Sequence, residues 1–120
     1  MLKRFAVASS LVLALASPGF AVDDAGLFYV RGAGAFTCER WMASKSEDKI
    51  RAEHWWAGYM TAANRFTPDT YDVLGETSID TMNGMLLRFC NDDPNQLFAL
   101  AVHEALTQLH ASRTRKSPTR

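Results

Sequence analysis

Residues 78–94, SIDTMNGMLLRFCNDDP, decide the fold because they join one clear amphipathic helix to a cysteine at its end. Ser78 is a suitable N-cap for this helix. Apolar side chains then recur at helical spacing and fall on one face: Ile79, Met82, Met85, Leu86, Phe89 and Cys90. The stretch therefore predicts the third helix of the chain, with this face turned towards a core.

The residues after Cys90 predict where the last helix begins. Asp93 suits an N-cap, Pro94 suits the first helical position, and Gln96 completes the spacing of a capping box. A fourth helix is therefore predicted from Pro94 to about His110. Its broad apolar stripe comprises Leu97, Phe98, Ala101, Val102, Ala105, Leu106 and Leu109.

A first short helix is predicted from Thr37 to Ser44, because Cys38, Trp41 and Met42 are spaced to share one face. A longer second helix follows. Ser46 is its predicted N-cap, and Thr67-Pro68 ends it, since the residue before a proline disfavours the helical region.

The predicted apolar stripe of the second helix is Trp55, Tyr59, Ala62 and Phe66. No segment of the chain shows the sustained alternation that is typical of strands. The sequence therefore predicts an all-α domain of four helices at residues 36–110, with a flexible lead-in at residues 22–35.

An export signal is predicted at residues 1–21. Lys3 and Arg4 give a positive start, an apolar run follows, and Gly19-Phe20-Ala21 offers a small-x-small cleavage site. Only Cys38 and Cys90 are available to pair, so one disulfide is predicted in an oxidising compartment, the periplasm. Two buried free cysteines are the alternative. No stable insertion in the membrane is expected once the signal is cleaved.

Charge is unevenly distributed in the predicted mature chain. Val22 to Arg120 carries 11 basic and 13 acidic residues, and the segment at 111–120 is basic without any acid. This segment has no large apolar residue, so it is predicted to be a disordered basic tail. A mildly acidic body also argues against nucleic-acid binding, which requires a basic face.

No motif for catalysis or for metal binding is present in the sequence. His103 and His110 are seven residues apart, about 10 Å along a helix, which is too far for joint ligation of one metal. A disulfide would also leave no cysteine nucleophile. We therefore expect a protein that is not an enzyme and that needs no cofactor or metal.

Trp55 and Trp56 are adjacent, so on a helix they point about 100° apart. Both could belong to the core of a small bundle. Alternatively, one of them lines a groove or an interface, where Trp and Tyr are favoured. Their residue types leave these two arrangements open.

Three motifs in order resemble the small periplasmic acid-stress chaperones of the HdeA/HdeB family, in particular the HdeB branch. They are Thr37-Cys38-Glu39-x-Trp41-Met42, the Trp55-Trp56 pair, and Phe89-Cys90-Asn91-x-x-Pro94-x-x-x-Phe98. The similarity covers about residues 36–109. It implies a small helical fold with one disulfide and a homodimer at neutral pH.

The same resemblance implies a function without ATP. In acid, such a protein dissociates and exposes apolar surface that binds unfolded periplasmic client proteins. The candidate residues for client or partner binding are Trp41, Trp55, Trp56, Tyr59, Met82, Met85 and Phe89.

A second pattern, Trp56-Ala57-Gly58-Tyr59-Met60-x-x-x-Asn64, is similar, more loosely, to immunity proteins of the Rap1a/Tai type. These are also small exported helical proteins with disulfides. The similarity implies a different partner, a cognate toxin of a type VI secretion system, bound through a fixed face at neutral pH. A plain structural module of the cell envelope is a third reading.

Overall fold

The computed structural model describes residues 22–119, and the predicted export signal lies outside this range. The described part of the chain contains four α-helices: α1 (Cys38–Ala43), α2 (Ser46–Phe66), α3 (Ile79–Asp92) and α4 (Phe98–Leu109). A 3-10 turn, Gly32–Ala35, precedes α1, and a second one, His110–Ser112, follows α4. The prediction of an all-α domain with four helices is confirmed.

Cys38 and Cys90 form a disulfide, as the sequence predicted, with their Cα atoms 5.0 Å apart. The bridge joins the first residue of α1 to the last turn of α3, and both cysteines are fully buried. The predicted face of α3 is largely confirmed, since Met82, Leu86 and Phe89 are also in the core. The disulfide therefore lies inside the core rather than at its edge.

The predicted start of α4 at Pro94 is wrong, because the helix begins at Phe98 and its N-cap position, Leu97, forms no side-chain cap. Residues 94–96 form a turn instead, and carbonyl groups of this turn pair with the start of α1. The Pro94 carbonyl accepts from the Glu39 backbone N–H, the Gln96 carbonyl accepts from that of Cys38, and both distances are 2.8 Å. In a helix that began at Pro94, these two carbonyl groups would instead accept hydrogen bonds from within the helix.

α2 buries a different face from the predicted one. Ala52, Trp56 and Met60 are in the core, whereas Phe66 is 79% exposed. Trp55 and Tyr59 are only partly buried, and they pack on the outside of the core. Ser46 is the first residue of the helix rather than its N-cap, which is Lys45 and makes no side-chain cap bond.

The lead-in is less uniform than predicted. Ala33 and Gly34 are buried in the first 3-10 turn, which packs on α2 and α4. Residues Leu27, Phe28 and Tyr29, by contrast, are exposed, Tyr29 by 82%.

The segment after α4 also differs from the expected disordered tail, because residues 113–115 pack on the connection between α2 and α3. Thr114 pairs with Asp72 in an isolated antiparallel bridge. The guanidinium of Arg113 is buried against this connection, and its Nε donates to the Asp69 carbonyl and to Thr70 Oγ1 at 3.2 and 3.0 Å. Arg115 forms an ion pair with Asp69. We call residues 113–115 the C-terminal strap.

Candidate functional site

The outer side of α2 carries an apolar surface that the rest of the described chain covers only in part. We call Trp55, Tyr59, Ala62 and Phe66 the aromatic face. α2 has more large apolar residues than one helix face can bury, and Ala52, Trp56 and Met60 already occupy the inner face. The residues of the aromatic face therefore remain at the surface.

Two hydrogen bonds fix the rings at the first half of the aromatic face. Trp55 Nε1 donates to the Arg31 carbonyl at 2.7 Å, and the Tyr59 hydroxyl lies 2.9 Å from His103 Nδ1 on α4. The Trp55 and Tyr59 rings also stack, with centroids 5.5 Å apart. Burial raises the pKa of the Tyr59 phenol above its usual value. Both rings are thus held in place before any partner arrives.

The second half of the aromatic face borders a groove between α2 and α4, with a volume of about 250 Å³. We call it the α2–α4 groove. Its lining is mostly apolar and comprises Tyr59, Ala62, Ala63, Phe66, Thr67, His103 and Leu106. No acidic residue is among these, and the Arg65 guanidinium lies beside the groove, 5.9 Å from the Phe66 ring centroid. The groove therefore suits an apolar group with a negative charge nearby.

A second exposed apolar element precedes the first 3-10 turn. Asp23 closes a local turn, in which its Oδ1 accepts from the Ala25 and Leu27 backbone N–H groups at 2.9 and 2.7 Å. Leu27, Phe28 and Tyr29 follow this turn and are exposed. We call residues 22–30 the N-terminal arm. The structure leaves these three side chains at the surface of the domain.

The seven predicted binding residues do not form one surface. Four are core residues that are at most 5% exposed: Trp41, Trp56, Met82 and Phe89. Trp55 and Tyr59 lie on the aromatic face, and Met85 is half-buried on α3. Of the two arrangements left open for the tryptophans, the structure shows the second: Trp56 is in the core and Trp55 lines a surface.

Phe66 is the groove residue whose exposure was not expected, since it belongs to the apolar stripe predicted for the second helix. Leu106, from the stripe predicted for the fourth helix, is partly buried against the core. A signal for Phe66 was available. Two stripes of α2 are apolar, one with Trp55 and Phe66 and the other with Ala52, Trp56 and Met60. A bundle of this size can bury only one of them.

A separate cavity of about 170 Å³ lies where α1, α2 and α3 meet, lined by Trp41, Lys49, Glu53, Trp56, Asn83 and Leu87. The Lys49 ammonium sits 4.3 Å from the Trp41 ring centroid, and burial lowers the Lys49 pKa below its usual value. The Trp56 Nε1–H is buried without a hydrogen-bond partner. That donor is out of reach of solvent, so the cavity is a weaker candidate site than the α2–α4 groove.

The three histidines do not converge on one point. His54 is exposed on α2, His103 contacts Tyr59, and His110 lies beside Arg113 at the C-terminal strap. Within residues 22–119, no group of three or more potential metal-ligating side chains comes together. None of the helices in this range has the length and apolarity to cross a membrane.

Asn64 is half-buried, and its bonds run to the α2–α3 connection rather than across helices. Its Oδ1 accepts from the Val73 backbone N–H at 2.7 Å. Asn64 thus supports the same connection that the C-terminal strap closes, and it takes no part in the aromatic face.

The fold and the surface define a class: a small disulfide-linked helical protein with a partly exposed aromatic face. Comparisons of the chain with protein-family models, with curated proteins and with solved structures give no match. The resemblance to the acid-stress chaperones therefore rests on the three sequence motifs alone.

Proposed function

We propose that this is an exported, non-catalytic protein that binds apolar segments of unfolding polypeptides in acid, an ATP-independent periplasmic chaperone. The observation that supports it best is the α2–α4 groove. Phe66 is 79% exposed and lies in one groove with Tyr59 and Leu106. Large exposed apolar surfaces on small proteins are commonly sites of interaction.

Charge supplies the dependence on acid. Below the ordinary carboxyl pKa values near 4, the 13 acidic side chains between positions 22 and 120 lose their charge, while the 11 basic side chains keep theirs. Self-repulsion then loosens the packed helices. Core aromatic residues such as Trp41 and Phe89 become available to clients in addition to the aromatic face.

The disulfide limits how far this loosening goes. It closes a loop over a separation of 52 residues and keeps α1 attached to α3. In the chain-entropy model such a crosslink contributes about 4 kcal/mol against full unfolding. The acid form would therefore expose apolar surface while remaining able to refold.

The test is suppression of aggregation of a model client at about pH 3, where most carboxylates are protonated. Phe66→Ser should weaken suppression markedly. Ile79→Ser is the matched control, because Ile79 is also a large apolar residue at the surface, 52% exposed, but it lies outside the groove. A wild-type protein without any suppression would contradict the proposal, as would equal losses in the two variants.

A second candidate function, binding of a cognate toxin, has one observation in its favour. Hydrogen bonds fix Trp55 and Tyr59 in the folded protein, so the aromatic face is already organised for one partner. A tight complex at neutral pH that Trp55→Ala abolishes, together with no client holding in acid, would favour this function over the chaperone.

A further inference from the structure

We propose that the N-terminal arm of a second copy of this chain occupies the α2–α4 groove at neutral pH, in a reciprocal exchange of arms. The inference builds on the proposed function, because the same groove would receive clients once the arm leaves it. It assigns the groove an occupant from this chain itself.

The arm carries exposed apolar side chains that match the apolar lining of the groove. Leu27, Phe28 and Tyr29 are consecutive and exposed by 66, 52 and 82%. A cavity of roughly 150 Å³ accommodates a benzene-sized group. The groove, at about 250 Å³, therefore has room for one aromatic ring and part of an aliphatic side chain.

The charges of the two elements are complementary. Asp23 and Asp24 stand at the start of the arm, whereas the Arg65 guanidinium lies beside the groove, and none of the lining residues is acidic. With Phe28 in the groove, Asp24 would lie towards Arg65. This pairing also fixes the direction of the arm along α2.

The attachment of the arm permits the exchange. The Arg31 carbonyl is held by Trp55 Nε1, so the arm departs from the domain beside the aromatic face. Nine residues precede this point in the arm, and an extended chain of that length spans up to about 30 Å. In a dimer with a two-fold axis, each arm occupies the groove of the other copy, so the assembly is closed and stops at two chains.

The first test is the mass of the oxidised, exported protein at neutral pH, by size-exclusion chromatography with light scattering over a range of concentrations. A dimer is expected. Phe28→Ser should raise its dissociation constant about tenfold or more, because it removes a buried ring. Ile79→Ser, outside both elements, should leave the constant unchanged. A protein that is monomeric throughout, or a dimer insensitive to Phe28→Ser, would overturn the proposal.

A charge exchange tests the predicted register. Asp24→Arg and Arg65→Asp should each weaken the dimer several-fold, and the double variant should recover most of the loss. Circular dichroism of each variant checks that the fold is intact. Both substituted positions are exposed, so we expect each variant to fold. A double variant that is weaker than either single variant would contradict the pairing.

The last test distinguishes the second copy from the chain's own arm. A photoreactive residue at position 28 is activated in a mixture of isotope-labelled and unlabelled protein. Crosslinks between labelled and unlabelled chains, at Tyr59 or Leu106, support the exchange; crosslinks within one chain overturn it. Client holding at about pH 3 is a separate readout. Failure of the arm exchange therefore leaves the chaperone proposal standing, and the reverse also holds.

Discussion

Gly34 and Trp55 are in direct contact: a Cβ atom added at Gly34 would lie 2.1 Å from Cζ2 of the Trp55 ring. The absence of a side chain at Gly34 thus allows the indole to lie flat on the first 3-10 turn. The same indole donates to the Arg31 carbonyl and stacks on Tyr59. One glycine therefore sets the position of the aromatic face and the point at which the N-terminal arm departs.

Gly34→Ala should displace the Trp55 ring and destabilise the fold by about 1–3 kcal/mol, the usual cost of overpacking. The hydrogen bond to Arg31 should be lost with it. Gly58→Ala is the matched control. Gly58 is inside α2, and nothing lies within 4 Å of an added Cβ atom. The free energy of unfolding of this variant should therefore rise by up to about 1 kcal/mol. Urea unfolding and tryptophan fluorescence measure both effects. A Gly34→Ala variant with the stability and the fluorescence of the wild type would contradict the contact between Gly34 and Trp55.

The Gly34 contact also shows why the predicted buried face of α2 was wrong. Trp55, Tyr59 and Phe66 have the spacing of a core stripe, and periodicity alone cannot distinguish them from Ala52, Trp56 and Met60. What decides is tertiary: Trp56 is buried in the core, on the helix that α1 also contacts, whereas the first 3-10 turn packs against Trp55. The four helices and the disulfide were predictable because each rests on local spacing and on a cysteine pair with one possible partner.

The predicted start of α4 was wrong for a similar reason. Asp93, Pro94 and Gln96 have a good local capping pattern, yet the Gln96 side chain donates instead to the Phe89 carbonyl at the end of α3. Its backbone pairs with α1. The C-terminal strap likewise has no apolar side chain that would predict its order, because its contacts are hydrogen bonds and charges to a connection distant in sequence.

Arg113→Ala should destabilise the protein by about 2–3 kcal/mol, since the side chain is only 6% exposed and its removal leaves the Asp69 and His110 carbonyls without their donor. Arg115→Ala is the control. Its side chain is 55% exposed, and exposed ion pairs contribute less than about 1 kcal/mol.

Hydrogen exchange locates the effect of Arg113→Ala. The Asp72 backbone N–H, which donates to the Thr114 carbonyl at 3.0 Å, should lose protection first. Equal stability of the Arg113 and Arg115 variants would mean that the strap does not hold the α2–α3 connection.

Reduction of the Cys38–Cys90 disulfide should lower the free energy of unfolding by about 4 kcal/mol, because the open chain regains the entropy of a long loop. Comparison of urea unfolding for the oxidised protein and for a Cys38→Ala/Cys90→Ala variant measures it. The double variant avoids free thiols. A difference below about 1 kcal/mol would show that the core alone holds α1 on α3, and it would remove the tether from the proposed acid mechanism.

The Tyr59 phenol gives a dependence on alkaline pH with a definite sign. Burial raises its pKa in the folded protein, so the folded state holds this proton more tightly than the unfolded state does. The contribution to stability is fully present below the unfolded pKa of about 10, and it is lost as the pH rises through the higher folded pKa. Tyr59→Phe removes this loss. The stability of wild type relative to Tyr59→Phe should therefore fall steadily above about pH 10.

Urea unfolding at a series of alkaline pH values measures the difference, and Tyr29→Phe, which alters a ring that is 82% exposed, is the control. At neutral pH, Tyr59→Phe should also cost about 1 kcal/mol, the net worth of the hydrogen bond to His103. Because that bond holds the Tyr59 ring at the edge of the α2–α4 groove, the variant should at the same time loosen the groove for any occupant. A Tyr59→Phe variant that shares the alkaline decline of the wild type would show that the phenol is solvated, and the groove would then lack its fixed edge.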